Sequence, residues 1–285
     1  MEKILQNKRN KRKKWLAVLL AVFLFISLVL GVLQLGVWHT EKNWEHWYPD
    51  YSMVEIRSLL EKNERSEEEY RIIYEQTGLT KKGVDDLLSE GKINKILQIQ
   101  QGFFVRPKLV VDHFSVFTYI EKTSFLMPML ALKTGDIIVS ATTRVSWFRY
   151  GHAALVVDGE NDLILEAICP GTVSRYGGAD SFSYFANFLV LRPKLETQVK
   201  DNVAKFAKEN LVGLPYSLTV GILSKKEQEK LTTTQCAHLV WYAYKQFGID
   251  LDVNGGMVVK PQDIALSPYV EVVQSYGFNL DTLWA

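Results

Sequence analysis

From Trp15 to Trp38 the chain carries no charged residue. About 20 apolar residues suffice to cross the hydrocarbon core of a bilayer, and Ser27 and Gln34 are the clear polar interruptions here. Trp15 and Trp38 bracket the run, where amphipathic aromatic rings favour the membrane interface. A buried helix of a soluble protein would not need so long an uncharged stretch. The basic block KRNKRKK, Lys8 to Lys14, precedes the run, whereas the flank after it (His39, Glu41, Lys42, Glu45) is mixed. Basic residues accumulate on the cytoplasmic side, which predicts a cytoplasmic tail over 1–14, a transmembrane helix over 15–38, and everything beyond outside. The alternative is a cleaved signal peptide. The apolar core is long for one, and no A-x-A site comes after it.

The remainder of the 285 residues suits one good-sized globular domain with accessories. A net charge of +1 offers no general field for nucleic acid. Residues 39–125 read as three to five short helices. SMVEIRSLLEKNE places Met53, Ile56, Leu59 and Leu60 at helical spacing. SEEEYRIIYEQTG offers Ser66 as N-cap, Glu69 as its capping-box partner and Gly78 as a stop. LTKKGVDDLLSEGK restarts with Thr80 as cap, and INKILQIQQGFF and DHFSVFTYIEKT continue the series. The segment holds no metal, nucleotide or nucleophile motif. It reads as a spacer or cap packed on the C-terminal part of the chain, or as a lid.

Over 126–285 the pattern changes. GDIIVS, HAALVVD, DLILEAI and FLVLRP are short strand-like runs separated by turn residues. TQVKDNVAKFAKENLVG is an amphipathic helix closed by Gly213, Cys236 to Phe247 is a second helix with Gly248 after it, and YVEVVQSYG is a last strand. The class is α+β: an antiparallel sheet with packed helices.

Two cysteines allow one bridge or two free thiols. Cys236, Leu239, Val240, Ala243 and Phe247 share one helix face. Cys236 stands at the N-terminal tip of that face, where unpaired N–H groups and the helix dipole favour a thiolate and can receive an oxyanion. His238 points elsewhere on the helix, so the base must come from another element. His152, at the mouth of HAALVVD, is the best placed. Glu166 interrupts the apolar run of the next strand. A three-residue loop (Gly159, Glu160, Asn161) pairs Asp158 with Asp162 and Ala154 with Glu166, which puts Glu166 diagonally across from His152. A two-residue loop would put it on the opposite face. The bland readings are a surface ion pair for Glu166 and a satisfied core phenol for Tyr216.

VGLPYSLTVG and TTTQCAHLVWYAYKQFGIDL resemble the nucleophile region of NlpC-type cysteine peptidases, which are papain-like. Gly213, Pro215, Tyr216, Cys236, Leu239, Val240, Gly248, Ile249 and Leu251 carry the match. GHAALVV lies upstream of the cysteine, the order of the circularly permuted YiiX/YebB-like branch, related to lecithin retinol acyltransferases. The chain departs from the pattern at Gln235-Cys236-Ala237, where the family has D-C-S, and lacks its W-G-G. The resemblance implies a permuted papain-like domain over 126–285. It also implies Cys236 as nucleophile, His152 as base, Glu166 as its orienting group, and Tyr216 as a substrate or oxyanion contact. No cofactor or metal is implied.

Anchor and resemblance together lead to the expectation of a membrane-anchored, extracellular cysteine hydrolase that cleaves an amide, such as a cell-wall peptide, through an acyl-enzyme. A lipid acyl hydrolase or acyltransferase is the second reading, and an inactive tethered binding module the third. A Cys169–Cys236 disulfide would abolish the chemistry. It is a real alternative outside the cytoplasm, and a zinc site using Cys169, Cys236, His152 and His238 is a more remote one.

Overall fold

The computed structural model describes residues 2–43, 47–111, 118–121, 126–145, 148–149 and 151–278. It divides into two compact units, one of residues 1–44 with 145–148, the other of 45–144 with 149–285. In the first, α1 (Glu2–Asn43) is a single helix of 42 residues, and Lys11–Gly36 within it is long and apolar enough to cross a membrane. The helix thus runs past both ends of the expected 15–38, through the basic block, whose lysines and arginines are themselves good helix formers.

The second unit is α+β. Four helices come first: α2 (Arg57–Leu60), α3 (Glu67–Thr77), α4 (Lys81–Ser89) and α5 (Ile93–Phe103). The Ser66–Glu69 capping box forms and Gly78 closes α3 in the left-handed region. SMVEIRSLLEKNE yields only one helical turn, because Met53 faces solvent and only Ile56 and Leu60 are buried. Thr80 stands at the N-cap of α4 but donates its hydroxyl to the Val272 carbonyl instead of capping the helix. The helix expected over DHFSVFTYIEKT is replaced at its described residues by β2 (Thr118–Ile120), paired antiparallel with β1 (Leu109–Val111). β-branched and aromatic residues in TYI suit a strand.

β3 (Ile137–Ser140) is followed by β4 (Arg144–Val145), β5 (Phe148–Arg149), β6 (His152–Asp158), β7 (Leu163–Glu166), β8 (Arg175–Gly178) and, after a 3-10 helix (Ala179–Tyr184), β9 (Phe188–Pro193). Then come α6 (Thr197–Asn210), α7 (Cys236–Lys245), α8 (Pro261–Ala265) and β10 (Val270–Tyr276). Six strands form one antiparallel sheet in the order β10-β9-β3-β6-β7-β8.

Strand alternation gives the sheet two apolar faces. Ile137, Val139, Ala153, Leu155 and Leu165 meet Val203, Ala204 and Ala207 of α6 and Leu239, Val240 and Trp241 of α7. Ile138, Ala154, Val156, Ile164 and Val190 meet Ile73, Val84, Leu87, Ile96 and Ile99 of the helical segment. That segment is therefore a layer packed on the sheet, with the Arg192 guanidinium gripping Asp136 at 2.9 and 2.6 Å and Asp86 of α4 at 2.6 Å. In α7 every residue from Cys236 to Tyr244 is buried, while Phe247 lies beyond the helix and is partly exposed, outside the stripe that its spacing predicts.

Candidate active site

His152 opens β6, at the end of the strand, opposite Ser140 of β3. The turn into it needs Gly151: its φ is +79°, and a Cβ there would lie 2.3 Å from the Ser140 carbonyl oxygen. Across the β6–β7 hairpin Ala154 pairs with Glu166, as expected, but Asp158 pairs with Leu163 and not with Asp162. A bulge between Val156 and Asp158 absorbs the extra residue. Asp162 enters the four-residue loop with φ +49°, and the Asp158 carboxylate accepts from the Glu160 and Asn161 amides at 3.2 Å each. The consequence for Glu166 is unchanged. It shares a face with His152, and Glu166 Oε2 lies 2.7 Å from His152 Nε2. His152 is 1% exposed and Glu166 6%, so Glu166 is not a surface ion pair. Gly177 of β8 leaves the room for this carboxylate, since a Cβ there would sit 3.0 Å from Glu166 Oε1.

Cys236 is the first residue of α7 and is itself 5% exposed. Gln235 stands at the N-cap, directly before the thiol. Its Oε1 accepts from the Ala237 amide at 3.0 Å and from the Cys236 thiol at 3.3 Å, while its Nε2 donates to the Val259 carbonyl at 2.7 Å. The helix cap and the thiol are thus held by one side chain.

The thiol, whose own hydrogen bond goes to Gln235 Oε1, lies near enough to the imidazole to act on its charge. Burial alone would penalise the charged His152 ring, but the hydrogen bond and charge of Cys236, then those of Glu166, outweigh it and push the ring up to about 9. At neutral pH the ring is therefore held as the imidazolium.

Two aromatic rings that the sequence analysis does not single out complete the setting. Phe182, on the 3-10 helix, stacks on His152 with centroids 5.4 Å apart and planes 19° apart, and Phe185 meets it edge-on at 6.1 Å. The ring faces suit an imidazolium. The one signal for them is the i, i+3 spacing of these two phenylalanines, which eclipse on a 3-10 turn.

The other candidates fall into place around this pair. Both cysteines are free, so no Cys169–Cys236 bridge forms. His238 is structural. Its Nε2 donates to the Lys226 carbonyl at 2.9 Å and its Nδ1 accepts from the Thr234 hydroxyl at 3.0 Å, and burial holds its pKa below the ordinary value. With both nitrogens committed, it cannot ligate zinc. Tyr216 is half-buried and bridges to Thr234, two residues before Cys236, while its amide donates to the Thr172 carbonyl at 2.9 Å.

Fold and site together define an α+β protein with a buried Cys–His–Glu constellation at the end of an antiparallel sheet. No protein-family model matches the chain, and no curated protein does.

Proposed function

We propose that the chain is a membrane-anchored extracellular cysteine hydrolase of permuted papain-like fold, acting on an amide bond such as that of a cell-wall peptide. One observation carries the reading: a buried His152–Glu166 hydrogen bond of 2.7 Å set against a cysteine that opens a helix. A structural cysteine has no need of a charged, doubly buttressed imidazole beside it. The order His152 before Cys236 supports the permuted branch, and the Lys11–Gly36 span supports the anchor.

The thiolate of Cys236 attacks the carbonyl carbon. The oxyanion is received at the N-terminus of α7, where Gln235 Oε1 must first release the Ala237 amide, and Tyr216, joined to Thr234 by a backbone bridge, is the candidate further contact. The His152 imidazolium returns its proton to the departing amine, leaving a thioester on Cys236. The neutral ring then takes a proton from water, the hydroxide attacks the thioester, and the thiol is regenerated. Glu166 keeps the ring in one tautomer and stabilises its charge.

A second reading, cleavage or transfer of a lipid acyl group, is favoured by exposed Ile222, Leu223 and Met257 on loops tied to the residues before Cys236. Digestion of purified wall peptides and of acyl lipids by wild type and Cys236→Ala tests both. Turnover lost in Cys236→Ala supports the hydrolase, and the substrate consumed selects between peptide and lipid. No turnover of either by wild type would identify a tethered binding module instead.

A further inference from the structure

Two loops are tied to the residues just before Cys236, and both carry apolar side chains into solvent. The Ser217 amide donates to the Thr234 carbonyl at 2.8 Å, and Gln235 Nε2 to the Val259 carbonyl at 2.7 Å, so each loop is pinned to the residues just before the thiol. They are also pinned to each other. Lys226 Nζ donates to the Gly256 carbonyl at 2.7 Å, and Gly221, with φ +86°, packs so closely that a Cβ would fall 1.7 Å from the Met257 carbonyl oxygen. The Thr219 carbonyl accepts from the Ile222 and Leu223 amides at 2.9 Å each, a tight turn that holds these two side chains outward. Leu223 is 82% exposed, Met257 69% and Ile222 56%, with Leu218 and Val253 also exposed beside them. Five apolar side chains on one rigid rim are too many to be scattered surface residues.

We infer that this rim is a bilayer-docking surface, which seats the loops pinned to Thr234 and Gln235 in the membrane interface. The occupant is argued from the chain itself. The same polypeptide carries an apolar span ending at Gly36, and the globular unit begins at Glu45, so lipid is the apolar phase kept near it by connectivity. The charges around the rim are mixed: Lys225, Lys230 and Lys260 are exposed, and so are Glu227 and Glu229. Docking therefore rests on insertion of side chains, not on anionic lipid, and is insensitive to salt. The inference goes beyond the hydrolase reading and stands whether or not Cys236 is a nucleophile.

The test uses the full chain in phosphatidylcholine vesicles, with Cys169→Ser and Cys236→Ala and a polarity-sensitive fluorophore on Leu223→Cys. The expected result is a blue-shifted emission that brominated phosphatidylcholine quenches, unchanged at high salt or with added phosphatidylglycerol. The same fluorophore on Glu68→Cys, on the helical layer at the other face of the sheet, stays aqueous and unquenched. Ile222→Asp abolishes the shift at a fluorophore on Met257→Cys. Aqueous emission at Leu223→Cys overturns the inference. A shift without lipid quenching overturns it too, in favour of a second copy or another protein on the rim.

Discussion

Burial opposes the charge on His152, and Cys236 first and Glu166 second outweigh it. The fold raises the ring's pKa from its ordinary value near 6.5 to about 9. A raised pKa means that folding favours the imidazolium, so its stabilising contribution is fully present below about 6.5 and is lost as pH rises through about 9. Glu166→Gln keeps a hydrogen-bond acceptor but removes the charge, so the ring pKa falls. The alkaline limb of Cys236 alkylation by iodoacetamide is expected near 9 in wild type and at lower pH in Glu166→Gln. An unmoved limb would remove Glu166 from the couple. In His152→Ala the alkylation of Cys236 near neutral pH drops by about an order of magnitude or more, since the thiolate loses its counter-charge, while Cys169, far less buried, reacts as before. These residues are legible in the sequence because local pattern sets each of them. A thiol at the tip of an apolar stripe is visible in spacing alone, and Ala154 against Glu166 needs only the length of a hairpin. That pairing holds although the loop has four residues and not three, because a bulge after Val156 repairs the count, and bulges leave no period in a sequence.

The 3-10 helix Ala179–Tyr184 is the element that positions the base, and it is invisible in the sequence, because six residues of mixed polarity carry neither helical nor strand periodicity. Its Phe182 is fully buried against the imidazole. Phe182→Ala should cost roughly 3–5 kcal/mol by denaturant melt and should broaden the pH profile of alkylation as the ring loses its seat. Phe182→Leu, which fills most of the space, should recover most of the stability but not the stacking. Arg192 plays a comparable part for the layers. It leaves β9 to hold Asp136 and Asp86 together, with the Ala131 carbonyl accepting at 3.3 Å. Asp136 is 0% exposed. Arg192→Met strands its carboxylate and should cost about 3–5 kcal/mol, whereas Arg192→Met with Asp136→Leu should recover much of that loss. Capping boxes, closing glycines and sheet strands are legible from the sequence because propensity and pattern agree there. SMVEIRSLLEKNE and DHFSVFTYIEKT mislead because a few spaced apolar residues imitate a helix, and tertiary pairing decides otherwise.

At the scale of the molecule the decisive quantity is the side of the membrane on which the thiol lies. The proposed chemistry needs the globular unit outside, and orientation is set by the basic residues next to the span, not by the fold. Every residue from Lys8 to Lys14 except Asn10 is lysine or arginine, whereas the flank after Trp38 mixes His39, Glu41, Lys42 and Glu45. Cys169 is a natural reporter, since it is free, partly exposed and distant in sequence from the span. A membrane-impermeant maleimide applied to intact cells should modify Cys169 in the wild-type chain. Replacing Arg9, Lys11, Arg12, Lys13 and Lys14 by Gln while changing Glu41 and Glu45 to Lys should invert the bias and abolish that labelling until the cells are opened. Protection in the wild-type chain would put the thiol in a reducing compartment, where two unbridged cysteines are the ordinary state and a wall peptide is out of reach. Labelling in the wild type that survives the charge reversal would mean that the globular unit is exported for a reason other than the basic block. The free thiol pair then bears directly on function. In an oxidising environment two cysteines of one domain persist unbridged only if their geometry forbids the bond or their use requires the thiol.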